Sequence, residues 1–135
     1  MLPNEKEGFV QVTGGKVYYH IFGVEKEETP LLILHGGPGF PFDYMEPLKI
    51  LANERPVIFY DQLGCGKSDL IANQELMTVA RYVDELEQIR TELKLDNVIL
   101  LGQSWGTMLA VEYISRKNPA GIKGLILSAP YLSTK

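Results

Sequence analysis

Cysteine is nearly absent from this chain, with Cys65 alone among 135 residues. One cysteine excludes a disulfide framework and any cluster of cysteines around zinc. Apolar runs are never longer than a strand, so no membrane-spanning helix is expected. The first residues, Met1-Leu2-Pro3-Asn4-Glu5-Lys6-Glu7, lack the apolar core of a secretory signal, and a cytoplasmic location is the expectation. Charge of one sign is also scarce. The formal net charge of −4 is too small to steer a partner and has the wrong sign for nucleic acid. Internal repeats and low-complexity segments are missing. What is present is ordinary for one globular domain with one core: 45% hydrophobic and 22% charged residues.

The order of segments indicates an α/β protein. Phe9-Val10-Gln11-Val12 and Val17-Tyr18-Tyr19-His20-Ile21-Phe22 flank Thr13-Gly14-Gly15-Lys16 and predict a β-hairpin. Leu31-Leu32-Ile33-Leu34 and Val57-Ile58-Phe59-Tyr60 are continuous apolar runs, expected as strands buried on both faces. Between them a helix is expected from about Asp43, with Asp43 as N-cap and Glu46 as its reciprocal partner. Thr78 is read as the N-cap of an amphipathic helix in which Val79, Tyr82, Val83, Leu86, Ile89 and Leu93 recur at helical spacing. Its charged residues, Asp84, Glu85, Glu87, Arg90, Glu92 and Lys94, are expected to form a solvated face. A strand at Asn97 to Leu101, a helix ending at Asn118-Pro119, and a last strand at Ile122 to Ala129 complete the series. A hairpin followed by alternating strands and helices implies a mostly parallel sheet, with ligands beyond the carboxyl ends of its strands. Three loops fall there: 35–39, 61–68 and 102–106.

The loop Gly102-Gln103-Ser104-Trp105-Gly106 reads G-x-S-x-G and lies between a strand and a helix, the setting of a nucleophile elbow. So sharp a turn would bring side chains at 102 and 106 against neighbouring backbone, which glycine avoids. Ser104 is the candidate nucleophile, and the N–H of Trp105 points where an oxyanion would form. His35-Gly36-Gly37-Pro38-Gly39 on its own is a tight Gly/Pro turn; beside a serine elbow, the Gly37 N–H becomes the second oxyanion donor. His35, Gly36, Gly39, Gly102 and Gly106 are read as supports of these two loops. Gly64-Cys65-Gly66-Lys67-Ser68 imitates the end of a phosphate-binding loop, but Asp61 stands where the first glycine of that pattern belongs and would repel phosphate. Cys65 is read as a small packed residue.

The three motifs, His35-Gly36-Gly37-Pro38-Gly39, Asp61-Gln62-Leu63-Gly64-Cys65-Gly66-Lys67-Ser68 and Gly102-Gln103-Ser104-Trp105-Gly106, occur in this order and at about this spacing in proline iminopeptidases, and the chain resembles that family along essentially its whole length. The resemblance implies the α/β-hydrolase fold. It implies a serine aminopeptidase that releases an N-terminal residue, preferably proline, from small peptides by acyl transfer through Ser104. Gly37 and Trp105 would supply the oxyanion hole, and no cofactor or metal is expected. The family orders its triad Ser, then Asp or Glu, then His. After Ser104 this chain has no histidine and no aspartate, and Glu112 is its only later acid. Residues 1–135 are therefore expected to be the N-terminal part of a single α/β-hydrolase domain. They would carry strands one to six of eight, without the cap domain, the last strands, and the triad acid and base. A substitute triad of His35, Asp61 and Ser104 is disfavoured, because His35 belongs to a loop whose own N–H groups must face the oxyanion. Two alternatives stay open: another α/β-hydrolase such as an esterase or amidase, and a non-catalytic remnant that binds a peptide or partner.

Overall fold

The computed structural model describes residues 4–38 and 40–130. Strands β1 (Glu5–Val12), β2 (Gly15–Phe22), β3 (Leu31–Leu34), β4 (Val57–Tyr60), β5 (Val98–Gln103) and β6 (Ile122–Ser128) form one sheet in the order β1-β2-β4-β3-β5-β6. The hairpin β1–β2 is antiparallel, and β2 joins β4 antiparallel. β4, β3, β5 and β6 run parallel. Their carboxyl ends therefore emerge together, and the loops after β3, β4 and β5 meet along one edge.

Strict alternation along the buried strands builds two apolar layers. Leu32, Leu34, Ile58, Tyr60 and Leu100 face α1 (Val79–Glu92) and α2 (Trp105–Lys117), where Tyr82, Leu86, Ile89, Leu109 and Tyr113 cover them. Leu31, Ile33, Val57 and Phe59 face the opposite side and pack on Phe42, Met45 and Ala52. Every residue of β3 and β4 is buried, as their unbroken apolar runs require. At the far edge, among the described residues, β6 pairs with β5 alone, and Leu125 and Ile126 are exposed.

The structure corrects two expectations. Residues Phe42–Asn53 wind as 3₁₀ turns, and the residue before them is Pro41, with no side-chain capping bond; Asp43 is not an N-cap. Pro47 within the segment has no N–H to return to the Asp43 carbonyl, so the wider α-type ladder is interrupted there. The polar side of α1 is not a solvated face throughout. Glu85 and Arg90 are buried, as is Arg81. Arg81 donates to Glu85 Oε1 at 2.8 Å and to the Thr13 carbonyl at 2.9 Å, and Glu85 Oε1 also accepts the Leu63 N–H. Arg90 donates to the carbonyls of Leu95, Asp96 and Ala120 and to the Tyr113 hydroxyl, joining α1, α2 and the turns on either side of β5. The expected cap of α1 is in place: Thr78 Oγ1 accepts the Arg81 N–H at 3.1 Å. Among the described residues, no helix is long and apolar enough to cross a membrane.

Candidate active site

β5 ends at Gln103 and α2 begins at Trp105, so Ser104 alone makes the turn between them. Its φ of 54° and ψ of −117° lie where a side chain is rarely tolerated. The surrounding backbone holds it there. The Ser104 N–H donates to the Ser128 carbonyl of β6 at 3.0 Å, and its carbonyl accepts the Thr107 N–H at 2.9 Å and the Thr107 hydroxyl at 2.6 Å. The Ser104 hydroxyl makes no capping bond to α2, and Ser104 lines a cleft of about 450 Å³ with Gly36, Gly37, Phe40, Asp43, Tyr44 and Gln103. Both motif glycines are needed. A Cβ on Gly102 would collide with the Gly106 carbonyl, and one on Gly106 would collide with the carbonyl of Leu34 in β3. α2 thus lies against the end of β3, which brings the elbow beside the 35–38 loop.

Two peptide planes of that loop are fixed by named partners. The His35–Gly36 peptide is held at its carbonyl by Gln62 Nε2 (3.0 Å) and at its N–H by the Tyr44 hydroxyl (2.7 Å). The Gly36–Gly37 peptide is held at its carbonyl by His35 Nδ1–H (2.7 Å). In a trans peptide the N–H points opposite the carbonyl. With the Gly36 carbonyl turned to the buried His35 ring, the Gly37 N–H points away from that ring, and Gly37 lines the cleft. Gly37 has φ of 124°, which favours glycine. On the elbow side, Trp105 is the first residue of α2, where a helix leaves its N–H without an internal acceptor. The Trp105 indole donates to Gln62 Oε1 at 3.0 Å.

His35 is engaged on both ring nitrogens. It is fully buried, its Nδ1–H is given to Gly36, and its Nε2 accepts the Gln62 N–H at 2.9 Å. This arrangement defines a neutral ring, and burial lowers its pKa below the ordinary 6.5, against the opposing pull of the Gly36 carbonyl and of Asp61 and Asp43. Asp61 is likewise occupied. Its carboxylate accepts the N–H groups of Phe42 (3.0 Å) and Lys67 (2.9 Å). The phosphate-loop look-alike therefore turns the Lys67 amide onto its own carboxylate rather than outward to a ligand. His35, Asp61 and Cys65 offer ligand atoms within 4.8 Å of one another, a spacing that could hold a metal ion, but the imidazole and carboxylate are already engaged by amides. Burial, reinforced by Asp61 and Glu85, pushes the Cys65 thiol up to about 12, so the buried residue is protonated and not a thiolate nucleophile at neutral pH.

Of the residues singled out from sequence, Ser104, Gly36 and Gly37 share the cleft, Trp105 and His35 stand behind it, and Gly102 and Gly106 allow the close approach. Gly39 lies outside the described residues. Two contributors were not singled out. Gln62 links the His35 loop to Trp105, and Tyr44 links the same loop to Gln103. Gln62 belongs to a quoted motif, but its partners lie 27 and 43 residues away, so only the fold reveals its task.

Comparison with known proteins fits this geometry. Residues 29–135 match the family model described as alpha/beta hydrolase fold. A proline iminopeptidase from Heyndrickxia coagulans is 51% identical over 127 residues, covering 94% of this chain and 44% of its own. The crystal structure of a proline iminopeptidase from Mycobacterium smegmatis is 34% identical with a TM-score of 0.81, covering 89% of this chain and 42% of that one. The crystal structure of VinJ, also 34% identical, superposes with a TM-score of 0.85 and covers 93% of this chain and 43% of that one. The chain thus spans less than half the length of the relatives it matches. By sequence and by architecture, it belongs to the alpha/beta hydrolase fold family.

Proposed function

We propose that these residues supply the nucleophile and the oxyanion-binding loop of a serine peptidase of the proline iminopeptidase type, which releases N-terminal residues, preferably proline, from small peptides. The observation that carries this reading is Ser104 itself: a non-glycine residue at φ 54°, lining one cleft together with Gly37. Strain at a serine between strand and helix has an evident use when its hydroxyl must stand clear of the fold. Similarity to proteins named proline iminopeptidase supports the substrate class.

In this reading Ser104 Oγ attacks the carbonyl carbon of the N-terminal residue and gives its proton to a base. The carbonyl electrons move onto oxygen, where the N–H groups of Gly37 and Trp105 stabilise the charge. Collapse breaks the C–N bond, the protonated amine of the shortened peptide leaves, and water hydrolyses the acyl-serine. The base is not among the present histidines. Both nitrogens of His35 are engaged, and His20 is bonded to Glu5 on the hairpin. The reading therefore requires a base from outside these 135 residues, and the chain alone is expected to leave a prolyl amide unhydrolysed.

The test is Ser104→Ala in the full-length protein that carries this chain. Turnover of a prolyl amide is expected to fall at least ~10³-fold, with substrate binding largely retained, because the hydroxyl acts mainly in the transition state. Turnover within tenfold of the parent protein would remove Ser104 from the reaction.

A further inference from the structure

Tyr44 stands half-exposed on the wall of the cleft, yet its hydroxyl is engaged both as acceptor and as donor. It accepts the Gly36 N–H at 2.7 Å and donates to Gln103 Oε1 at 2.6 Å. A tyrosine hydroxyl has one proton to give, so acceptance from Gly36 and donation to Gln103 form one directed chain. That chain joins the loop after β3 to the residue just before Ser104. Gly36 is required for it, since a Cβ there would come within 2.9 Å of both the Tyr44 hydroxyl and Gln103 Oε1. Removing the hydroxyl leaves the His35–Gly36 peptide held only at its carbonyl end. Its neighbour, which carries the Gly37 N–H, then rests on the His35 contact alone.

We propose that Tyr44 is a positioning residue for the reaction: through Gly36 and Gln103 it sets the Gly37 N–H and Ser104 at a fixed separation. This rests on the reading of Ser104 as nucleophile and Gly37 as oxyanion donor. Tyr44 need not touch the reacting atoms. Its hydroxyl occupies the Gly36 N–H, so that Gly37 alone is presented from this loop, and it ties the elbow to the loop so that the two do not drift apart. Deleting an oxyanion donor outright costs about 10²–10³ in rate. Releasing a donor that remains present costs less, roughly tenfold, because orientation and not identity is lost. The effect falls on kcat, since a ground-state carbonyl makes little use of a hole shaped for the oxyanion.

The experiment is Tyr44→Phe in the full-length protein, which keeps the ring and removes only the hydroxyl. Turnover of prolyl p-nitroanilide is measured beside Ser104→Ala, and the Gly36 amide is followed by NMR after labelling with [15N]glycine. The expected result is a fall in kcat of about tenfold, a change in KM under about twofold, and an upfield move of the Gly36 amide proton as its hydrogen bond is lost. An unchanged kcat, or a loss of activity with the Gly36 resonance in place, overturns the role of Tyr44. Turnover that survives Ser104→Ala overturns the nucleophile reading instead, so the two failures are distinguishable. Tyr44→His, which can restore an acceptor to the Gly36 N–H but not the reach to Gln103, is expected to recover less than half of the lost kcat; full recovery would show that the bridge to Gln103 is dispensable.

Discussion

Ser104 combines two properties that seldom coincide, a Cβ and a left-handed φ of 54°. Such a conformation costs of order 1–3 kcal/mol and persists because its neighbours leave no alternative. The neighbours here are identifiable: the Ser128 carbonyl above, the Thr107 hydroxyl below, and two glycines that let β3 and α2 close in. Glycine at 104 would relieve the strain but would lose about 0.5–1 kcal/mol of chain entropy on folding. Ser104→Gly is therefore expected to raise the unfolding free energy by about 1 kcal/mol in urea titration, whereas Ser104→Ala, which keeps a Cβ, gains nothing comparable. Equal stability of the two variants would show that the turn is not strained. The sharp strand-to-helix turn at Ser104 was legible in the sequence because its pattern is local: five residues contain both the serine and the glycines that make room for it. Tyr44 and Gln62 were not legible as site residues. Their hydrogen bonds to Gln103 and Trp105 span 59 and 43 residues, and no local pattern encodes such a meeting.

Helix α1 shows how far periodicity reaches. Apolar spacing located it, and Thr78 marked its start. The same spacing could not distinguish a solvated Arg–Glu pair from a buried one, because Arg81 and Glu85, four residues apart, look alike in either setting. Burial was decided by Thr13 and Leu63, whose backbone groups need partners beneath the helix. The 3₁₀ segment Phe42–Asn53 shows the converse, since its composition suits a helix but Pro47 narrows the form it can take. With Arg81 removed, Glu85 is left as a buried carboxyl whose pKa burial already raises in spite of the guanidinium. Arg81→Met is expected to cost about 3–5 kcal/mol of stability, the usual result of breaking a buried pair from one side. Adding Glu85→Gln, which still accepts the Leu63 N–H, is expected to restore at least half of that loss. A cost below about 1 kcal/mol for Arg81→Met alone would mean that the pair is solvated in solution.

For the molecule as a whole, the strand pairing is what makes a site from three separate loops. Three neighbouring parallel strands, β4, β3 and β5, deliver residues 35–38, 61–68 and 103–106 to one edge, and Gln62 and Tyr44 then fasten them to one another. The chain spans 44% of the Heyndrickxia coagulans relative and 42% of the Mycobacterium smegmatis structure, and its histidines are both committed elsewhere. In the proposed reaction these residues would supply the nucleophile and its electrostatic support, and groups outside them the proton transfer. The most direct measurement is covalent. The full-length protein that carries this chain is treated with a fluorophosphonate, digested, and the modified residue located by mass spectrometry. Phosphonylation of Ser104, abolished by Ser104→Ala and blocked by a competing prolyl peptide, is the predicted result. Labelling at another residue, or labelling of Ser104 that a prolyl peptide does not slow, would contradict the assignment of Ser104 as the nucleophile of a proline-releasing peptidase.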